Sequence, residues 1–298
     1  MQFAWASRSR VETPGGMELG RLELTIIGNQ GPYPGPGGAC SGYLVRSQGA
    51  TVLIDCGPGV MPRLQQHIDV SSLDAVVISH FHPDHYSDFL TMRYAFQYIE
   101  STGRMSCPVT LALPAVDAEW FLREIIGEDY KPLFRIVPIE HGSRLEIGGR
   151  VRGGDCGLVL DFRLMSHAIP SFGTIVYASQ PEHGSRAPLA YTSDTGLCES
   201  LEEMAASSHT LLVEASMQEG DAQRSSAGHL AAAEAGRIAS EHGVARVLLT
   251  HLHPAKLLER SVCEASEAYG GQVEIAAMGK TYALREQLAE EMEDENEV

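Results

Sequence analysis

Apolar positions along the chain follow two periods in turn. Short β-branched or alternating runs recur at Arg21–Ile27, Ser41–Arg46, Thr51–Asp55, Leu73–Ile78, Val109–Leu113 and Phe134–Pro138. They recur again at Leu158–Met165, Thr174–Ala178, Leu189–Thr192, Leu211–Val213 and Val247–Thr250. Bounded by turn residues, these runs read as strands. Between them the apolar spacing widens to three and four. This predicts helices from about Val60 through Leu64 and Ile68, through Phe89, Met92, Phe96 and Ile99, over Val116–Ile126, over about Leu230–Glu241, and from Pro254 onward. Ser41–Arg46 and Thr51–Asp55 flank Ser47-Gln-Gly49 as a hairpin. Each half passes from hairpin-like strands into strand–helix alternation. That order predicts an α/β protein with two mixed β-sheets packed face to face and helices outside, a four-layer αββα sandwich. No linker or tandem repeat interrupts residues 21–285, which read as one domain. Residues 1–20 show no periodicity and read as a loose N-terminal extension.

Composition narrows the function classes. Of the formal net charge of −17, seven acids and no base lie in residues 286–298, an acidic C-terminal tail read as solvated, which leaves −10 on the remainder. An acidic body repels polyanions and argues against long nucleic acid as the main partner. No apolar run approaches a membrane span and no cleavable leader is visible, so a soluble cytoplasmic protein is expected. The six cysteines contain no C-x-x-C pair and read as reduced core residues. Gly28–Gly38 is a glycine- and proline-rich loop whose glycines suit a close approach to phosphate. No helix with Lys-Ser or Lys-Thr follows it, which excludes a P-loop.

The densest chemistry lies at Ser79-His80-Phe81-His82-Pro83-Asp84-His85, at the C-terminal end of a predicted buried strand. In extended backbone His80 and His82 point to the same side and reach one metal ion. Pro83 suits the first turn of a helix, so Asp84 and His85 emerge on a sharp turn facing elsewhere. Two ligand pairs aimed at neighbouring points predict two ions. Three further ligand-type residues follow strands: His167, Asp194 and His251. Asp55, at a strand end before Cys56-Gly-Pro-Gly59, is a candidate carboxylate behind a metal-bound histidine, and equally a cap for the helix near Val60.

In this order the seven residues His80, His82, Asp84, His85, His167, Asp194 and His251 resemble the metallo-β-lactamase superfamily. There H-x-H-x-D-H is followed by a histidine, an aspartate and a last histidine, and the resemblance runs from about Leu22 to Leu284. It implies a dinuclear centre, usually zinc, with Mn²⁺ or Fe²⁺ as alternatives. By this resemblance His80, His82 and His167 hold one ion and Asp84, His85 and His251 the other, while Asp194 and a water or hydroxide bridge both. Imidazole and carboxylate suit zinc, and two cations sharing a water lower its pKa toward neutrality. Histidine rather than glutamate at position 82 looks unlike the flavo-diiron branch, and aspartate rather than cysteine at 194 looks unlike the β-lactamases themselves.

Gly228-His229-Leu230, twenty-two residues ahead of His251, and the upstream Glu214-Ala-Ser216 resemble the ribonuclease Z-like phosphodiesterases. In those proteins a glutamate–histidine pair steadies the scissile phosphate and protonates the leaving oxygen. The resemblance therefore marks His229 and Glu214, together with Asp84, as catalytic. The competing reading has His229 cap the alanine-rich helix that follows. Members that process transfer RNA carry a long basic arm between the third-block histidine and the bridging aspartate. Here only 27 positions separate His167 from Asp194. The match is better to a small bacterial branch that includes atypical cyclic-nucleotide phosphodiesterases, whose Ser-Phe-Gly, Asp-Thr-Gly and Glu-Ala-Ser segments look like those at 171, 194 and 214. Ser171 and His253 are expected on the substrate pocket, the latter as a wall or supporting residue. His67, His141, His183, His209 and His242 are read as structural or solvated.

The sequence thus leads to a dinuclear metal-dependent hydrolase, foremost a phosphodiesterase acting on a small, cyclic-nucleotide-type diester. Rival readings are a transfer-RNA 3′-endonuclease, a lactone, ester or thioester hydrolase, and a metal-binding protein without turnover. Expected partners are the small phosphodiester and no membrane, with a homodimer left open.

Overall fold

The computed structural model describes residues 21–47, 49–105, 107–127, 131–148, 157–178, 185–221 and 228–285. The N-terminal extension, the acidic tail, Cys156 and His183 lie outside the described residues. Fourteen strands are described: β1 (Arg21–Gly28), β2 (Gly42–Ser47), β3 (Ala50–Ile54), β4 (Ala75–Val77), β5 (Val109–Pro114), β6 (Phe134–Ile139), β7 (Arg144–Ile147), β8 (Leu158–Leu164), β9 (Phe172–Tyr177), β10 (Leu189–Tyr191), β11 (Thr210–Glu214), β12 (Arg246–Thr250), β13 (Val273–Ile275) and β14 (Thr281–Arg285). The helices are α1 (Val60–Leu64), α2 (Pro83–Tyr86), α3 (Phe89–Ser101), α4 (Ala118–Trp120, continuing as wider turns through Ile126), α5 (Glu199–Ala206), α6 (Ala232–Glu241) and α7 (Leu258–Tyr269).

Two seven-stranded sheets result, ordered β14-β1-β2-β3-β4-β5-β6 and β13-β12-β11-β10-β9-β8-β7. In the first, β3 through β6 are parallel and the rest antiparallel. In the second, β10 through β13 are parallel and β7 through β10 antiparallel. Strand alternation sorts the apolar side chains into three layers. Leu24, Val45, Ile54 and Val77 meet Leu160, Phe162, Val176 and Leu212 between the sheets. Leu44, Leu53, Val76 and Ile78 face outward under Phe89, Met92 and Phe96 of α3. On the other side Val213, Val247 and Leu249 face Leu201 of α5, Ile238 of α6 and Ala265 of α7. Three apolar layers between four structural layers make the αββα sandwich, with period-2 strands supplying both faces of each sheet.

Several local expectations need correction. The last helix starts at Leu258 rather than Pro254: residues 253–256 close a single turn, with the Lys256 amide donating to His253 O at 3.0 Å, and extended Leu257 interrupts it. Cys40 and Cys56 are buried, but Cys107 and Cys263 are exposed and Cys198 is half-buried. A core role therefore holds for only two of the five described cysteines. Strands β7, β13 and β14 and helix α5 carry patterns too short or too polar to stand out in the sequence. β14 returns the chain to β1 across the first sheet, a pairing that no local signal encodes.

Candidate metal centre

The parallel strands β3, β4, β10, β11 and β12 all end at one rim, and the chain leaving each delivers a polar side chain there. Asp55 follows β3, the His80–His85 segment follows β4, Asp194 follows β10, Glu214 closes β11 and His251 follows β12. His167 arrives from the antiparallel β8. Asp55, Ser193 and His251 adopt left-handed backbone at φ of 59°, 55° and 52°. For residues with a Cβ that conformation is disfavoured, and its clustering at a rim of this kind accompanies functional sites. It turns the chain sharply at the strand end and aims the adjoining side chain inward.

Pro83 occupies the first turn of α2 with His82 as its N-cap residue, so His80 and His82 lie on one side of the bend and Asp84 and His85 on the other. His82 Nδ1 lies 3.1 Å from His80 Nε2 and 3.0 Å from His167 Nε2. Across the centre, His251 Nε2 lies 3.1 Å from Asp84 Oδ2, and His85 Nε2 lies 3.7 Å from the same oxygen. Asp194 stands between these groups: Oδ1 is 3.3 Å from His85 Nε2, and Oδ2 is 3.4 Å from His251 Nε2 and 3.7 Å from His80 Nε2. The sets His80, His82, His167 and Asp194, and Asp84, His85 and His251, each have donor atoms within 4.8 Å of one another. Asp194 also clusters with His229 and His251.

Four histidines are fixed from behind, which decides which nitrogen faces inward. His85 Nδ1 donates to Asp55 Oδ2 at 2.8 Å, and His167 Nδ1 donates to Gly228 O at 2.9 Å. His80 Nδ1 lies 3.1 Å from Ser79 Oγ, and His229 Nδ1 lies 2.8 Å from Glu214 Oε1. Asp55 is itself held at both oxygens. Oδ1 accepts from the Ser79 amide at 2.8 Å, and Oδ2 accepts from Ser79 Oγ at 2.9 Å and from the Tyr191 hydroxyl, across the inter-sheet core, at 2.9 Å. The alternative that Asp55 caps α1 fails, because Asp88 Oδ2, not Asp55, accepts from the Met61 amide at that end, at 2.9 Å.

Inward-facing His85 Nε2 and Asp194 Oδ1 are buried and make no hydrogen bond. Imidazole nitrogens pointing at one another and at carboxylates, with such atoms left unsatisfied, form a donor set suited to divalent cations. Electrostatics divides the cluster: burial opposes protonation of His85 and His251, but Asp194 overcomes it and raises both pKa values, so a cation would have to displace protons there. Burial opposes ionisation of Asp194, yet His251, His85 and His80 hold its pKa well below the usual carboxylate range. Burial, reinforced by His85, pushes His80 well down toward the neutral form a ligand needs.

Gly31 and Gly228 matter here for close approach. A Cβ at Gly31 would lie 2.0 Å from His251 Nε2, and one at Gly228 3.0 Å from His167 Nδ1. Gly31, Ser79, Tyr191 and the Gly228 carbonyl escaped the sequence reading as contributors. Each acts through a long-range contact with no local signature, except that Gly31 belongs to a loop dense in glycine.

His229 sits at the open side. Its imidazole is stacked on His251, with ring centroids 5.5 Å apart and planes 12° apart, and its Nδ1 is 4.0 Å from Asp194 Oδ2. It does not cap α6: the N-cap residue is Ala231, and Glu234 Oε2 accepts from the Ala231 amide at 2.8 Å. Fully buried Glu214 also accepts from the Thr195 amide at 3.0 Å and from Ser216 Oγ at 2.9 Å. Burial opposes protonation of His229, but the Glu214 carboxylate overcomes it and raises the pKa to about 9.

Ser171 does not line the pocket. It is fully buried, and its hydroxyl donates within the core to Ser193 Oγ and Asp194 O, both at 3.0 Å, so it braces the Asp194 turn from beneath. His253 is half-buried and meets the exposed Tyr33 edge-on. His67 and His141 are exposed, and His209 and His242 are half-buried away from the centre.

A family model described as the beta-lactamase superfamily domain matches residues 50–252. The probable metallo-hydrolase YhfI of Bacillus subtilis is 29% identical over 258 residues, covering 87% of this chain and 98% of that protein. Its crystal structure matches with a TM-score of 0.77 at 27% identity, across 88% of this chain and 99% of the other. The uncharacterized protein Rv1339 of Mycobacterium tuberculosis is 30% identical over 270 residues, covering 89% of this chain and 93% of that protein. A ribonuclease Z from Salinispora arenicola is 27% identical over 296 residues, covering 85% and 93%. The chain belongs to the metallo-β-lactamase superfamily, in its ribonuclease Z-like branch.

Proposed function

We propose that this protein is a metal-dependent phosphodiesterase with two divalent ions, zinc foremost, acting on a small diester of the cyclic-nucleotide type. His80, His82 and His167 would hold one ion, Asp84, His85 and His251 the other, and Asp194 both. When bound, such ions supply Lewis acidity toward phosphoryl oxygens and lower the pKa of a coordinated water. The carrying observation is the Glu214–His229 pair at the open side of the ligand cluster. Phosphodiester cleavage expels an alkoxide that needs a proton, and His229 stands where one can be given. Glu214 keeps His229 protonated near neutral pH and fixes its Nδ1, leaving Nε2–H as the donor. Asp55 holds His85, and the Gly228 carbonyl holds His167, so neither ring must reorganise during turnover.

A small substrate is favoured over long RNA on two grounds. Between His167 and Asp194 the described residues consist of β9, β10 and short connections, and the whole chain is acidic. Similarity to ribonuclease Z remains compatible with this reading, since the same ligands serve any phosphodiester.

The test compares leaving groups. His229→Ala should retain the metal and the fold and lose turnover by about 10²–10⁴-fold on a diester with a ribose or alkyl leaving oxygen. On a nitrophenyl diester, whose leaving group needs little protonation, the loss should be far smaller. Equal losses on both would make His229 a phosphate-binding residue. No loss on either would refute the general-acid role and bring ester or lactone hydrolysis forward.

A further inference from the structure

The loop Gly28–Gly38 reaches the metal centre and carries one exposed aromatic ring. Gly31 lies against the inward-facing edge of His251, and the bend that follows, Pro32-Tyr33-Pro34, places Tyr33 on the surface at 49% exposure. The loop is tied to the very segment that carries His251. The Leu252 amide donates to Asn29 O at 2.8 Å, the Gly31 amide donates to Leu252 O at 3.3 Å, and Asn29 Nδ2 donates to Ala276 O at 2.7 Å. Within the loop Gln30 Oε1 accepts from the Gly35 amide at 2.8 Å. Prolines on both sides restrict the backbone around Tyr33. An exposed tyrosine is ordinary on a mobile loop, but here it stands on a braced one.

Tyr33 meets His253, with ring centroids 5.5 Å apart and planes at 82°. Two perpendicular rings make a corner in which one offers a face and the other an edge. His253 Nδ1 accepts from the Ala255 amide at 3.2 Å, so Nε2 carries the proton and is the ring's donor. His253 lies two positions after His251, so their Cα atoms are no more than about 7 Å apart. That is the scale on which a mononucleotide separates its phosphate from its base.

We propose that Tyr33 and His253 form a stacking subsite for the planar base of a nucleotide whose phosphoryl group lies at the metal centre. This rests on the phosphodiesterase reading for the placement of the phosphoryl group. Stacking on an aromatic face is tolerant of base identity, because every base offers a π-face, so the subsite selects nucleotides over other phosphate esters without choosing sharply among bases. It also gives the loop's proline and glycine content a function: a stacking platform gains most when its position is fixed before the ligand arrives.

The decisive experiment measures binding, independent of turnover. The metal-loaded full chain is titrated calorimetrically with AMP and with ribose 5-phosphate, as wild type, Tyr33→Ala and Tyr33→Phe. AMP should bind the wild type about 10-fold more tightly than ribose 5-phosphate, Tyr33→Ala should remove most of that advantage, and Tyr33→Phe should restore it. AMP binding no more tightly than ribose 5-phosphate in the wild type, absence of binding by either included, overturns the subsite. So does a Tyr33→Ala variant that weakens both ligands alike, since the ring would then merely hold the loop against His251. Failure to hydrolyse any phosphodiester, bis(4-nitrophenyl) phosphate included, would defeat the phosphodiesterase reading separately, while the AMP comparison still decides the subsite.

Discussion

Replacing Gly31 by alanine adds one methyl group directly against the His251 ring of the metal centre. The added Cβ would lie 2.0 Å from His251 Nε2, 2.3 Å from Cδ2 and 2.4 Å from Cε1. Carbon–heavy-atom contacts settle near 3.5 Å, so the ring or the loop must yield by about 1.5 Å. Gly31 is not among the positive-φ glycines, so alanine brings no backbone strain and the perturbation is steric. The loop cannot simply retreat, because its hydrogen bonds run to Leu252, the neighbour of the ring it would strike. His251 should therefore move away from Asp84 and Asp194, whose oxygens now stand 3.1 and 3.4 Å from its Nε2.

A misplacement of about 1 Å costs on the order of 10²-fold in rate, so Gly31→Ala should lose at least that much on bis(4-nitrophenyl) phosphate. Elemental analysis should show one ion retained against the two expected of the wild type, because only the His251-containing set is disturbed. The double variant Gly31→Ala/His251→Ala separates this from general misfolding. If the methyl acts through the ring, the double variant should be no worse than His251→Ala alone. Two ions retained with a rate within about threefold of wild type, or losses that add in the double variant, would refute the argument.

Asp194→Ala should impair retention of both ions, since its oxygens face both ligand sets, and elemental analysis showing a single ion in fully loaded wild type would defeat the dinuclear assignment. Glu214→Gln should shift the alkaline limb of kcat/KM for a ribose diester to lower pH. Glu214 raises His229 to about 9, the acid form is the active one, and removing the charge lets the proton leave earlier. Bound cations would lower this pKa in wild type and variant alike, so the direction stands, and a limb that does not move would exclude Glu214 as the tuning group.

The layered fold was legible because its strands are short, β-branched and bounded by turn residues, and because α3 and α6 carry regular apolar stripes. The candidate ligands were legible for a different reason: each follows a strand, and a strand end is a position that local periodicity can mark. What lay hidden depends on partners far away in sequence. Ser171 is expected on the substrate pocket because its Ser-Phe-Gly segment resembles one in the phosphodiesterase branch, yet its hydroxyl bonds to Ser193 and Asp194 inside the core. Tyr191 reads as one apolar residue of a buried strand, and only the packing of two sheets brings its hydroxyl to Asp55, 136 positions away. The start of α7 was misjudged because Pro254 permits a first helical turn without requiring a second.

The rim of this sandwich gathers several features that each oppose folding. Left-handed backbone at Asp55, Ser193 and His251 costs on the order of 1–3 kcal/mol apiece. Asp55, Asp194 and Glu214 are buried carboxylates, and burial of a charge is unfavourable unless it is fully hydrogen-bonded or paired. Asp55 and Glu214 meet that condition within the chain, through Ser79, Tyr191 and His85 in one case and Thr195, Ser216 and His229 in the other. Asp194 meets it only in part, since Oδ1 makes no hydrogen bond. Asp55 and Glu214, which support other groups, are thus hydrogen-bonded within the chain at both oxygens, and Asp194, between the two ligand sets, is not. That division fits a rim in which the surrounding residues are fixed during folding, while the central carboxylate and the imidazoles facing it are completed by a cation that binds the native state and stabilises it by mass action.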